Sequence, residues 1–198
     1  MKMNSELRAQ ARAQLRGGWL PAVGITFLFC ILVSVAAGIA LLPLLIIGGP
    51  LCLGYYSYFL RKARGEEAVI ENLFHGFNDF GRSFVLFLLE LVLITLWSLL
   101  LVIPGIIKTL SYSMAFFILK DNPGMSSLDA ITASRKMMKG HKGKLFCLCF
   151  SFIGWCLLCA LTGGIGYFWL GPYMQLSMAN FYEDIKNGDS VEFRVIGE

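Results

Sequence analysis

No charged residue stands between Arg16 and Arg61. The stretch is apolar from Trp19 to about Leu60. That is too long for one membrane crossing, which takes roughly 20 residues, and about right for two. A turn at Ile47-Gly48-Gly49-Pro50 or near Pro43 would divide it. Ser34-Val35-Ala36 resembles a signal-peptide cleavage site. The polar segment before the run is too long for that reading, and the run continues past the site.

The rest of the chain repeats the pattern. Of its 198 residues 57% are hydrophobic and 15% charged, where soluble domains carry roughly a quarter charged residues. A soluble domain of this size could not bury so much apolar surface, whereas a bilayer would solvate it. The sequence therefore predicts one all-α, polytopic membrane domain over 1–198. Six transmembrane helices are expected at about 19–41, 45–62, 83–103, 105–120, 144–162 and 165–183, paired as three hairpins. Pro104-Gly105 and Gly163-Gly164 supply the other tight turns. The tail, 185–198, is expected to be disordered, or a short strand.

Three polar segments carry helical apolar stripes and are expected to lie on the membrane surface. In 4–16, Asn4 or Ser5 would cap the helix, with Glu6 in its first turn. Leu7, Ala11 and Leu15 form one stripe there, and Arg8, Arg12 and Arg16 the adjoining one. In 67–80 the stripe is Val69, Ile70, Leu73, Phe74, Phe77 and Phe80. In 126–139, opened by Ser126-Ser127-Leu128-Asp129 and closed by Gly140, Ala130, Ile131, Ser134, Met137 and Met138 share one face. Arg135, Lys136 and Lys139 fall on the other. Arg8, Arg12, Arg16, Arg135, Lys136 and Lys139 are the candidate contacts for anionic lipid headgroups.

Charge sets the expected orientation. Lys2, Arg8, Arg12 and Arg16 precede the first span; Arg61, Lys62, Arg64 and Arg82 follow the second; Lys120 and a basic run from Arg135 to Lys144 follow the fourth. The three intervening turns carry no Lys or Arg, and only Lys108 lies near one of them. Lys/Arg excess marks the cytoplasmic side, so both termini and both long loops are expected inside, in a multi-pass protein of the cell membrane. A short-word similarity, Ser113-Met114-Ala115-Phe116-Phe117 against Ser177-Met178-Ala179-Asn180-Phe181, with Tyr55 to Phe59 ending comparably, suggests an internal repeat.

Two charges fall within expected spans, Glu90 and Lys108. An ionisable group there marks a possible pathway, although a structural or interfacial role is the alternative. Counting from the Pro104-Gly105 turn places Glu90 level with Lys120, which predicts a Glu90–Lys120 contact, while Lys108 snorkels to the outer side. No catalytic, metal or cofactor motif is legible. Cys156 and Cys159 have CxxC spacing but sit beside Trp155, Leu157 and Leu158, where thiols serve as small packing groups. His75 and His141 have no ligand-spaced partner, and Gly163-Gly164-x-Gly166 lacks the strand and Lys-Ser/Thr of a phosphate loop. No basic stripe interleaved with aromatics suggests nucleic acid.

These residues together resemble a bacterial membrane family known as domain of unknown function 975. The likeness rests on Leu73-Phe74-His75-Gly76-Phe77, Ile103-Pro104-Gly105-Ile106-Ile107, Ala130 to Ser134, Met137 to Lys142, Ser151-Phe152-Ile153-Gly154-Trp155 and Phe181-Tyr182-Glu183-Asp184. The Pro-Gly turn and following loop are also similar to the membrane domain fused to some glycerophosphodiester phosphodiesterases, whose catalytic domain is absent here. The resemblance implies a bacterial cytoplasmic membrane location and no activity. The expected function is a non-enzymatic organiser or regulator at the cytoplasmic face, with a membrane-protein partner or a second copy of itself. The alternative is a small oligomeric transporter or channel.

Overall fold

A computed structural model describes residues 2–39, 41–100 and 102–196. The described residues fold into α-helices and one 3₁₀ segment. In chain order they are α1 (Asn4–Leu15), α2 (Trp19–Ile39), α3 (Leu41–Ala63), the 3₁₀ segment (Ile70–Asp79), α4 (Phe80–Leu100), α5 (Val102–Tyr112), α6 (Ala115–Asp121), α7 (Ser127–Met137), α8 (Lys142–Phe150), α9 (Ile153–Leu161) and α10 (Tyr167–Ile196). Three helical stretches are long and apolar enough to cross a membrane: Pro43–Ala63, Ile70–Leu99 and Lys142–Leu161. Counting α1 and α2, which meet at 99°, as one bent span raises the number to four.

Boundaries differ from the sequence reading where local breaks intervene. Helix α2 ends at Ile39 and α3 begins at Leu41, so Gly48-Gly49-Pro50 lies inside α3. The fourth expected span is broken at Ser113–Met114, and the fifth at Ser151–Phe152. The expected disordered tail continues α10 as far as Ile196. Once a helix is nucleated, each further residue adds a hydrogen bond at little entropic cost, so a polar tail can extend it.

The hub is α3, which packs against α2, α4, α6, α10 and the 3₁₀ segment. Its most apolar window is 61% buried, against 11% for Ile70–Leu99 and 17% for Lys142–Leu161, so those two stretches form the periphery. Glycines let backbones meet at the hub. Gly54 lies on the carbonyl of Leu73, and Gly76 on the carbonyl of Pro50. Gly76 therefore occupies its place in Leu73-Phe74-His75-Gly76-Phe77 because a side chain would strike α3. Leu73 and Asn72 are buried, whereas Val69, Ile70, Phe74, Phe77 and Phe80 stay exposed. This apolar strip remains on the molecular surface.

The other two amphipathic segments behave differently. Leu7, Ala11 and Leu15 are fully buried, and α1 packs chiefly on α10. Ala130, Ile131, Ser134 and Met138 are buried against neighbouring helices, with α7 contacting α6, α4 and α5. Their apolar stripes thus face protein and not lipid. Periodicity reports that a stripe is buried but not what buries it. Nor do Asn4 and Ser5 cap α1: the cap is Met3, whose N–H donates to the Glu6 carboxylate (2.6 Å). The start of α7 agrees with expectation, Ser126 Oγ accepting from the Asp129 N–H.

The repeated words acquire a spatial meaning. At matching positions Phe59, Phe117 and Phe181 are all fully buried, as are Ser57, Ala115 and Ala179 two residues earlier. Helix α3 packs on both α6 and α10. Tyr182 stacks on Phe117 (5.3 Å between centroids) and Tyr56 on Phe116 (5.3 Å). The same small-then-aromatic spacing therefore lets these three helices converge.

Candidate functional site

The converging ends carry the ion pairs. Arg64, just past α3, meets Asp121 Oδ2 at 2.6 Å and Glu183 Oε1 at 2.7 Å. Asp121 Oδ2 also accepts from Lys186 Nζ (2.6 Å) and Tyr182 Oη (2.8 Å). Burial on its own would raise the Asp121 pKa; the donors Arg64, Lys186 and Tyr182 outweigh it and hold the carboxyl below its ordinary value. Beside this group, Lys144 Nζ pairs with Asp184 at 3.1 Å, and the Lys2 N–H donates to the same carboxylate at 3.0 Å. Arg82 fastens the next loop, donating to the carbonyls of Met125 (2.9 Å) and Asn122 (2.7 Å), while Ser127 Oγ donates to the Arg82 carbonyl (2.7 Å). Seven helices, α1, α3, α4, α6, α7, α8 and α10, are thus tied together.

Adjacent to it is a cavity of about 430 Å³ between α5, α7 and α8. Lys108, Arg135, Lys136, Lys139 and Lys142 line it with Ser111 and Thr132, and among the described residues no carboxylate does. Thr132, Arg135, Lys136 and Lys139 fall at i, i+3, i+4 and i+7, one face of α7. Gly140, at φ +92°, ends that helix in the left-handed region and returns the chain so that Lys142 faces the same space. Ser134 Oγ donates to the Ser111 carbonyl (2.8 Å), fixing α7 to α5. Lys108 Nζ sits over the Trp97 ring, 4.3 Å from its centroid. The ion pairs found among the described residues use none of these five cations.

The sequence separated what the fold joins. Lys108 shares a cavity with the basic face of α7. The break at Ser113–Met114 and the Ser134–Ser111 bond bring α7 alongside α5, a proximity invisible to residue counting. The Glu90–Lys120 contact is also not formed. Gly105 packs on Ser98, which sets Glu90 level with Ser113, roughly 10 Å along the helix from Lys120. Glu90 instead faces Cys52 and Tyr56 of α3, its Oε1 buried without a hydrogen-bond partner. Arg12 and Arg16 are exposed; Arg8 is half-buried, and with Arg12 it lies near Tyr173 of α10. Sequence reasoning did not single out Asp121, Arg64 or Asp184. Arg64 and Asp121 had only position as a signal, each at the end of a helix, while Asp184 lies within α10.

Among the described residues the fold is all helical, with three helical stretches apolar enough to cross a membrane and a shared polar end, which defines the class: a helical protein compatible with a membrane location. The chain belongs to the family described as Protein of unknown function (DUF975), whose model matches residues 1–111 and 98–189. No curated protein and no solved structure matches it.

Proposed function

We propose that this is a six-span protein of the bacterial cytoplasmic membrane, built as three hairpins with both termini inside, that organises lipids or a partner without catalysis. Its spans would be α2, α3, α4, α5–α6, α8–α9 and the first part of α10. One observation carries the reading. Every ion pair found among the described residues lies at the end where α3, α6, α8 and α10 meet or in the adjoining 61–82 loop. Exposed apolar side chains away from that end include Leu96 and Leu99 of α4 and Trp155, Leu157 and Leu161 of α9. A polar end rich in Lys and Arg belongs on the cytoplasmic side. The exposed Arg12 and Arg16 and the basic face of α7 would meet anionic headgroups there.

Single-cysteine labelling in a background lacking the native cysteines tests this. Thr162→Cys should react with a membrane-impermeant maleimide in intact cells, and Gly124→Cys only after the membrane is opened. The reverse pattern would discard the orientation. Glu90, buried and unpartnered at Oε1, favours the second reading, a small oligomeric transporter. Solute flux in liposomes that disappears in Glu90→Ala would replace the first reading with the second.

A further inference from the structure

We propose that the cavity between α5, α7 and α8 is a specific binding site for a phosphate-bearing anion. Three separate elements contribute its cations: Lys108 from α5, the Arg135-Lys136-Lys139 face of α7, and Lys142 from α8. Like charges brought this close repel one another; Arg135 and Lys142 both act on Lys108. The negative end of the α7 dipole offsets part of this, but no carboxylate of the described residues lines the space. The neighbouring cavity is a useful contrast. There Lys2 and Arg64 are matched by Glu183 and Asp184. An arrangement that keeps five cations together unneutralised is completed by a ligand of more than one negative charge.

Phosphate supplies that charge. A phosphomonoester carries about −1.5 to −2 near neutral pH and presents three acceptor oxygens. The Arg135 guanidinium can offer two parallel donors, and the lysines point charges. Thr132 adds a hydroxyl at the rim, whereas the Ser111 hydroxyl is already committed to the Ile107 carbonyl (2.6 Å). At about 430 Å³ the space lies within the range of small-molecule sites and exceeds what one inorganic ion fills. The phosphate can come from a lipid headgroup or from a free phosphorylated solute.

The full chain in phosphatidylcholine nanodiscs provides the test, in two arms. In one, pyrophosphate is titrated calorimetrically, with tryptophan fluorescence followed because Trp97 touches Lys108. In the other, the discs contain phosphatidylglycerol and retained lipid is counted by native mass spectrometry. Pyrophosphate binding assigns a free solute; phosphatidylglycerol retention alone assigns a headgroup. In either case Lys108→Gln with Lys142→Gln should weaken binding about tenfold or more, the equivalent of losing one hydrogen bond to a charged group. Lys142→Arg, which keeps the charge, should bind as the parent does and shows that the region folds. Arg61→Gln with Lys120→Gln, two cations outside the cavity lining, should leave binding unchanged. Equal loss in this control and in the cavity variant would mean diffuse electrostatics and overturn the site, as would no binding in either arm. The pyrophosphate arm does not depend on orientation, so failure of the topology experiment and failure of the site are distinguishable.

Discussion

Gly76 rests on the backbone carbonyl of Pro50, with no room for a β-carbon between them. Gly54 makes the reciprocal approach to the Leu73 carbonyl, so α3 and the 3₁₀ segment meet backbone to backbone. Neither neighbour can rotate away, because both are main chain. Gly76→Ala and Gly54→Ala are each expected to destabilise the protein by about 3 kcal/mol, the upper end for overpacking. Gly81→Ala and Gly143→Ala meet nothing within 4 Å and should be neutral or slightly stabilising. Thermal unfolding in one detergent compares the four; equal effects would refute the close approach.

Asp121 joins α6 to α3 and α10 through three donors. Its folded pKa is depressed, so its contribution to stability is full above the unfolded carboxylate value of about 3.9. It is lost as pH falls through the folded pKa. Asp121→Asn should cost about 2 kcal/mol near neutral pH, between the values for exposed and buried pairs, because Arg64 and Lys186 are partly exposed. The gap between parent and variant should narrow below about pH 4. Unfolding midpoints measured from pH 3 to 7 check this, and a gap constant with pH would exclude the carboxylate as the cause.

Glu90 leaves Oε1 buried and unpaired beside Cys52 and Tyr56. Removing such a group relieves a desolvation cost. Glu90→Met, similar in length, should therefore raise stability by about 1–2 kcal/mol. A lower unfolding midpoint would show that the carboxylate has a partner in the folded membrane protein.

What the sequence by itself determined was set by local patterns. The uncharged stretch from Arg16 to Arg61 required paired apolar helices, and the Ala130-Ile131-Ser134-Met138 stripe identified the buried face of α7. Gly140 marked its end, because only glycine takes the left-handed conformation there without strain. Family membership was legible too, in words such as Leu73 to Phe77. The tertiary structure alone decided which stripes meet protein: Leu7, Ala11 and Leu15 reach α10 and not a bilayer. It also decided the place of Lys108, since an 11-residue α5 broken from α6 lets α7 fold alongside it. Hydrophobic period and charge count are properties of neighbours in sequence. The partner of a stripe, and the company of a lone lysine, depend on where helices break and cross.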